Sequence, residues 1–225
     1  MSKLRSVAGE FFVIVAGVLV ALGVDEWREN LADQALEAEY LQRLRTDLES
    51  DTANFAWFER VLEAKESVLL DLKSDDPIRR LQGHENLIQD LVYSDFKALP
   101  SSQASTFREL QSTGNLKLIR DINLRGKISR YYLGFDHISA ILATPSGDYR
   151  RLLSESIPGE LINGWRLDNT PPDPGALERG LRTLLALPNI GGAVNAELAY
   201  TTGMAYYLGD YEASARALLE ELDGS

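Results

Sequence analysis

Residues Phe11 to Val24, FFVIVAGVLVALGV, form the only stretch of the chain without a polar side chain. Lys3 and Arg5 precede it, and Asp25, Glu26 and Trp27 follow it directly. At about 1.5 Å of rise per residue this run reaches only ~21 Å, short of a hydrocarbon core about 30 Å thick. Extending it back to Leu4 gives ~31 Å and brings Arg5 and Glu10 within the span. Arg5 can snorkel to the headgroups, and Glu10 then lies near the interface or faces a helix partner. The pattern predicts a short tail and transmembrane helix in 1–24, with Trp27 as an interfacial anchor. A cleaved signal peptide, cut at Ala21-Leu22-Gly23, and a buried core helix are the competing readings. Glu10 interrupts the approach to that site, and the helical pattern continues through Trp27 without a breaker. Gly9, Ala16 and Gly23 recur at heptad spacing, and Gly17 and Ala21 lie one turn apart, which predicts a helix-packing seam in the membrane.

Asp25 to Lys73 contains neither proline nor glycine. Leu41, Leu48, Phe55, Leu62 and Leu69 repeat every seven residues, and Leu44, Phe58 and Leu72 form a companion row. Asp51 and Lys65 interrupt that row. The interruptions argue against a free coiled coil and for a long helix, 25–73, packed along other helices of its own chain. A helical body, 74–225, follows. Asp76-Pro77 reads as a cap and first helical turn, Gly83 as a break, and Glu85 to Val92 as a helix. Ser105 is the expected cap of a helix over Thr106 to Ser112 that Gly114 ends. Asp121 or Asn123 starts a helix to about Leu142, and Pro145 one to about Ser156. The proline-rich stretch Ile157 to Pro174 is irregular, with Leu161, Ile162 and Trp165 packing it on the body. Asp173-Pro174 opens a helix to about Leu187, and the last helix runs over about Gly192 to Leu222. Nothing alternates over strand length, so the expected class is all-α, a multi-helix bundle.

Charge places the two ends and narrows the partners. Lys3 and Arg5 before the span, against Asp25 and Glu26 after it, predict a cytoplasmic N-terminus and a periplasmic body in a bacterial inner membrane. The chain carries a net −11. Without Lys3, Arg5 and Glu10 the remainder has 21 basic and 33 acidic groups, a net −12. That balance excludes nucleic acid as an expected partner, because phosphate binding needs a basic face. Cysteine is absent, which removes disulfides, thiolate nucleophiles and cysteine-ligated zinc from the expectations.

Two blocks carry a resemblance. The first is GEFFVIVAGVLVALGVDEW continuing to EAEYLQRLRTDLESD, Gly9 to Asp51. The second is TFRELQSTGNLKLIRDINLRGKISRYY, Thr106 to Tyr132. Together they resemble a family of uncharacterised bacterial single-pass membrane proteins, grouped as a domain of unknown function. The shared features are a glutamate heading the span, a tryptophan beyond it, a YLxRLxxDLxxD helix, and a Leu-Ile-Arg turn leading to paired tyrosines. The resemblance implies a membrane anchor and a helical body, and it supplies no reaction.

The residues offer little chemistry. Asp47 and Asp51 share a helix face one turn apart, but no further ligands follow at metal-binding spacing. Asp51 on a seam position needs a partner, and Arg108, Arg120 and Arg125 in the second block are the expected ones for a structural ion pair. His84 and His137 lie in different elements without a triad pattern. Tyr131, Tyr132, Tyr200, Tyr206, Tyr207 and Tyr211 concentrate aromatic surface, expected as core with hydroxyls at its rim. No catalytic residue, cofactor or metal is expected. The reading is a non-enzymatic membrane-anchored interaction or scaffold module, partnered by a second copy or another membrane protein. The alternative is a ligand-sensing periplasmic domain that signals through a partner, since no output domain is expected before the span.

Overall fold

In the computed structural model of the chain, the backbone is described for residues 2–97, 100–143, 147–159, 161 and 173–224, and the side chains for these residues other than 2–14, 141 and 142. The regular secondary structure of the described residues is all helical, and no strand occurs among them. The first helix, α1 (Ser2–Leu72), is continuous over 71 residues, or about 107 Å at the standard rise. From Gly17 to Ala32 every residue of α1 is exposed, including Val18, Leu19, Val20, Leu22 and Val24. Packing begins further along, with Leu36 partly buried and Tyr40 buried. From there the two rows turn inward. Leu44, Leu48, Phe55, Phe58, Leu62, Leu69 and Leu72 are all buried, and so are the interrupting Asp51 and Lys65.

Among the described residues seven further helices wrap this part of the rod: α2 (Pro77–Gln82), α3 (Leu87–Ser94), α4 (Ser105–Thr113), α5 (Ile122–Leu142), α6 (Tyr149–Ser156), α7 (Pro174–Ala186) and α8 (Ile190–Asp223). The 34-residue α8 is the main partner of α1, which also packs against α3. Two apolar clusters result. One joins the middle of α1 to α4, α5 and the C-terminal half of α8. The other joins the end of α1 to α2, α3, α6, α7 and the start of α8.

The local signals explain most boundaries. Asp76 accepts a hydrogen bond from the Arg79 N–H, and Asp173 one from the Gly175 N–H, each ahead of a proline in the first turn. Gly114 ends α4 with φ of 72°, a left-handed turn that leads into the 3₁₀ turn Asn115–Leu118. Asp121 caps α5 by accepting from the N–H groups of Asn123 and Leu124.

Other expectations need correction. Ser105 does not cap α4: it is the first helical residue, and the carboxylate of Asp47 on α1 accepts from the Thr106 N–H instead. The third helix ends at Ser94, two residues beyond Val92. The last helix opens at Ile190, two residues before Gly192. Pro145, Ile162 and Trp165 lie outside the described residues, whereas Leu161 packs on the second cluster. The expected membrane span in 1–24 lies partly outside them as well, because side chains 1–14 are not described, Gly9 and Glu10 included. Among the described residues no helix is long and apolar enough to cross a membrane. Of the expected seam residues, Gly17, Ala21 and Gly23 are exposed and Ala16 is half-buried, and a Cβ on Gly17 or Gly23 would meet nothing within 4 Å.

Candidate functional site

Asp51 is fully buried on α1. Its Oδ2 accepts from the Ser102 hydroxyl at 2.6 Å and from the Tyr131 hydroxyl at 2.7 Å. Its Oδ1 accepts from the Gln103 N–H at 2.6 Å. One turn earlier Asp47 holds the Thr106 N–H at 3.2 Å. The two carboxylates therefore pin the segment entering α4 to the rod, and Tyr131 brings in α5. Burial pushes the Asp51 carboxyl above its ordinary value, although all three donors favour the charged form.

The expected ion pair is not what forms. Arg108 lies 3.8 Å from Asp136, Arg120 pairs with Glu37 at 3.5 Å, and Arg125 donates to the Ile119 carbonyl at 3.5 Å. Two hydroxyls and a main-chain N–H satisfy a buried carboxylate without burying a guanidinium, whose desolvation is expensive. Asp51 is therefore a structural hub that uses neutral donors.

Beside it, Tyr132 stacks on Phe107 with ring centroids 4.8 Å apart. The Tyr132 hydroxyl is buried and has no hydrogen-bond partner among the described residues. Burial and the nearby carboxylates push the pKa values of Tyr131 and Tyr132 far up, so both phenols stay neutral.

A second buried polar group links α1 to α8. The Lys65 ammonium lies 2.5 Å from Glu197 Oε1 and 3.1 Å from the Phe96 carbonyl, and Lys97 reaches Glu197 Oε2 at 3.1 Å. The Tyr200 ring lies 5.7 Å from the Lys65 ammonium. Burial lowers the Lys65 pKa, against the pull of Glu197. Asp95 lies at the edge of this group, 3.4 Å from Arg150, and burial pushes its carboxyl up to about 6.

His84 forms a third constellation. Its Nε2 lies 2.9 Å from Asp71 at the end of α1, and its Nδ1 lies 2.7 Å from Asp90 on α3. Burial lowers the imidazole pKa, but the two carboxylates outweigh it and the net shift is upward. The two nitrogens face different acids, so these donors do not converge on one cation. Among the described residues no cluster of histidine, aspartate and glutamate is arranged to hold a metal ion. His137 is exposed.

Tyr131 also lines a groove of about 590 Å³ that opens between α5 and α8. Tyr131, Tyr207, Tyr211 and Leu218 line it, with Arg130 and Asp210 at its rim. The Tyr211 hydroxyl sits over Gly134, where a Cβ would lie 2.7 Å away. Of the aromatic residues singled out in the sequence, Tyr131, Tyr207 and Tyr211 meet here, whereas Tyr200 lies against Lys65 and Tyr206 is exposed. The hub at Asp51 was half visible in the sequence, as a charge on an apolar row. The partners of His84 carried no signal, because Asp71 and Asp90 stand at no diagnostic spacing from it.

No protein-family model matches the chain. No curated protein and no solved structure matches it either.

Proposed function

We propose that the chain is a single-pass protein of the bacterial inner membrane, with its N-terminus cytoplasmic and its helical body periplasmic, and that it acts as a non-enzymatic interaction or scaffold module. One observation carries this reading. α1 leaves the body as an uninterrupted helix whose apolar side chains Val15, Val18, Leu19, Val20, Leu22 and Val24 are exposed. An exposed apolar surface of that extent marks a membrane or partner contact. Phe11 to Ile14 extend the apolar run in sequence, and Trp27, 62% exposed just beyond it, has the amphipathic chemistry of an interfacial anchor. The resemblance of Gly9–Asp51 and Thr106–Tyr132 to single-pass membrane proteins supports the same arrangement.

The scaffold role draws on the polar interior. Asp51, Lys65 and Glu197 are each tied to neighbouring helices, a use suited to holding a rigid body on its rod. In-cell crosslinking followed by purification in detergent is the test. A discrete species above monomer mass, from a second copy or another membrane protein, is expected. Monomer alone contradicts the scaffold role. The alternative, a ligand-sensing domain, is favoured by the groove beside Tyr131.

A further inference from the structure

The groove between α5 and α8 has a property that the scaffold reading does not use. Its volume, about 590 Å³, falls within the range of about 300–1,000 Å³ typical of small-molecule sites. Its floor is apolar and aromatic and is already in place. The Tyr131 hydroxyl is held by buried Asp51, and Tyr211 is seated on the bare backbone of Gly134. A preformed floor lowers the ordering cost of binding.

The rim is charged in a specific way. Lys127 and Glu221, at one end, pair with each other at 2.6 Å. Arg130 on α5 and Asp210 on α8 are both exposed, and neither has a counter-ion among the described residues. A ligand with only a negative charge would meet Asp210, and one with only a positive charge would meet Arg130. A ligand with one of each satisfies both. Membrane lipid is a poor fit by position. The Glu221 end of the groove adjoins Asp223, which pairs with Arg45 at 2.7 Å. Arg45 is about 30 Å along the helix from Val24, the last apolar residue of the proposed span.

We infer that this groove binds a short apolar peptide with both termini free, its carboxylate at Arg130, its ammonium at Asp210 and its side chains on Tyr131, Tyr207 and Tyr211. Isothermal titration calorimetry on the full chain in detergent micelles tests this, with the dipeptide Phe-Leu, its N-acetyl form and its C-terminal amide as probes. Phe-Leu is expected to bind, and each blocked form about fivefold more weakly or worse, the size of one partly exposed charge contact. Arg130→Ala should weaken Phe-Leu to a similar degree and abolish the penalty for amidation. Asp210→Ala should do the same for acetylation. Both residues are exposed, so the variants keep the fold. Absence of Phe-Leu binding, equal binding of the blocked forms, or indifference to both substitutions overturns the proposal. None of these results bears on the membrane anchor, which is read by where the protein sits.

Discussion

A carboxylate with no exposed surface and no cation beside it depends entirely on its hydrogen bonds, and Asp51 has three. Asp51→Ala strands the Gln103 N–H and the Tyr131 and Ser102 hydroxyls. It is expected to cost about 2–4 kcal/mol in urea unfolding, with Asp51→Asn milder because an acceptor oxygen remains. Periodicity identified this residue as inward-facing, yet the choice of partner lay in residues more than fifty positions away. Nothing in the spacing of Ser102, Gln103 and Tyr131 distinguishes them from Arg108, Arg120 and Arg125. Asp95 gives a pH signature. Its folded pKa of about 6 lies above the ordinary 3.8, so the folded state binds the extra proton between those values. Stability therefore falls as pH rises from about 4 to 6, by roughly 1 kcal/mol after discounting for solvent screening. Asp95→Asn should flatten that window in chemical denaturation curves. His84 also has a raised pKa, but as a base its contribution is full below its ordinary value of 6.5 and fades as pH rises through the folded one. Comparing His84→Gln with wild type across pH 6 to 9 reads that loss directly.

Helix α4 shows why element boundaries were only partly legible. Ser105 satisfies the sequence rule for a cap, but Asp47 reaches across from α1 and caps the Thr106 N–H. A carboxylate from another helix takes the place of the local hydroxyl because Asp47 on α1 lies within hydrogen-bond reach of the Thr106 N–H. Asp47→Ala should therefore cost about 1 kcal/mol, while Ser105→Ala should cost much less, a contrast that thermal melts can measure. Where cap and proline both lie in the same short segment, as at Asp76-Pro77 and Asp173-Pro174, the sequence sufficed. The heptad row on α1 was legible for the same reason: one helix carries the whole signal. What packs against it, chiefly α8, was not: the last helix itself was legible to within two residues at its start, but the apolar row of one helix does not name the helix that covers it.

For the whole molecule, the division is between the part of α1 that the body covers and the part that it leaves bare. The covered part begins near Leu36, and the bare part includes the apolar side chains from Val15 to Val24 and Trp27. Those side chains contribute nothing to the packed core, so replacing Val18, Leu19, Val20 and Leu22 with serine should leave the unfolding of the body unchanged. The same change should release the protein from membranes. Protease access to a C-terminal tag, compared between intact spheroplasts and lysed ones, tests the central claim most directly. The proposed topology predicts cleavage of the tag in intact spheroplasts, with the protein pelleting with the membranes. A tag protected until lysis, or a protein recovered free of membranes, would contradict it.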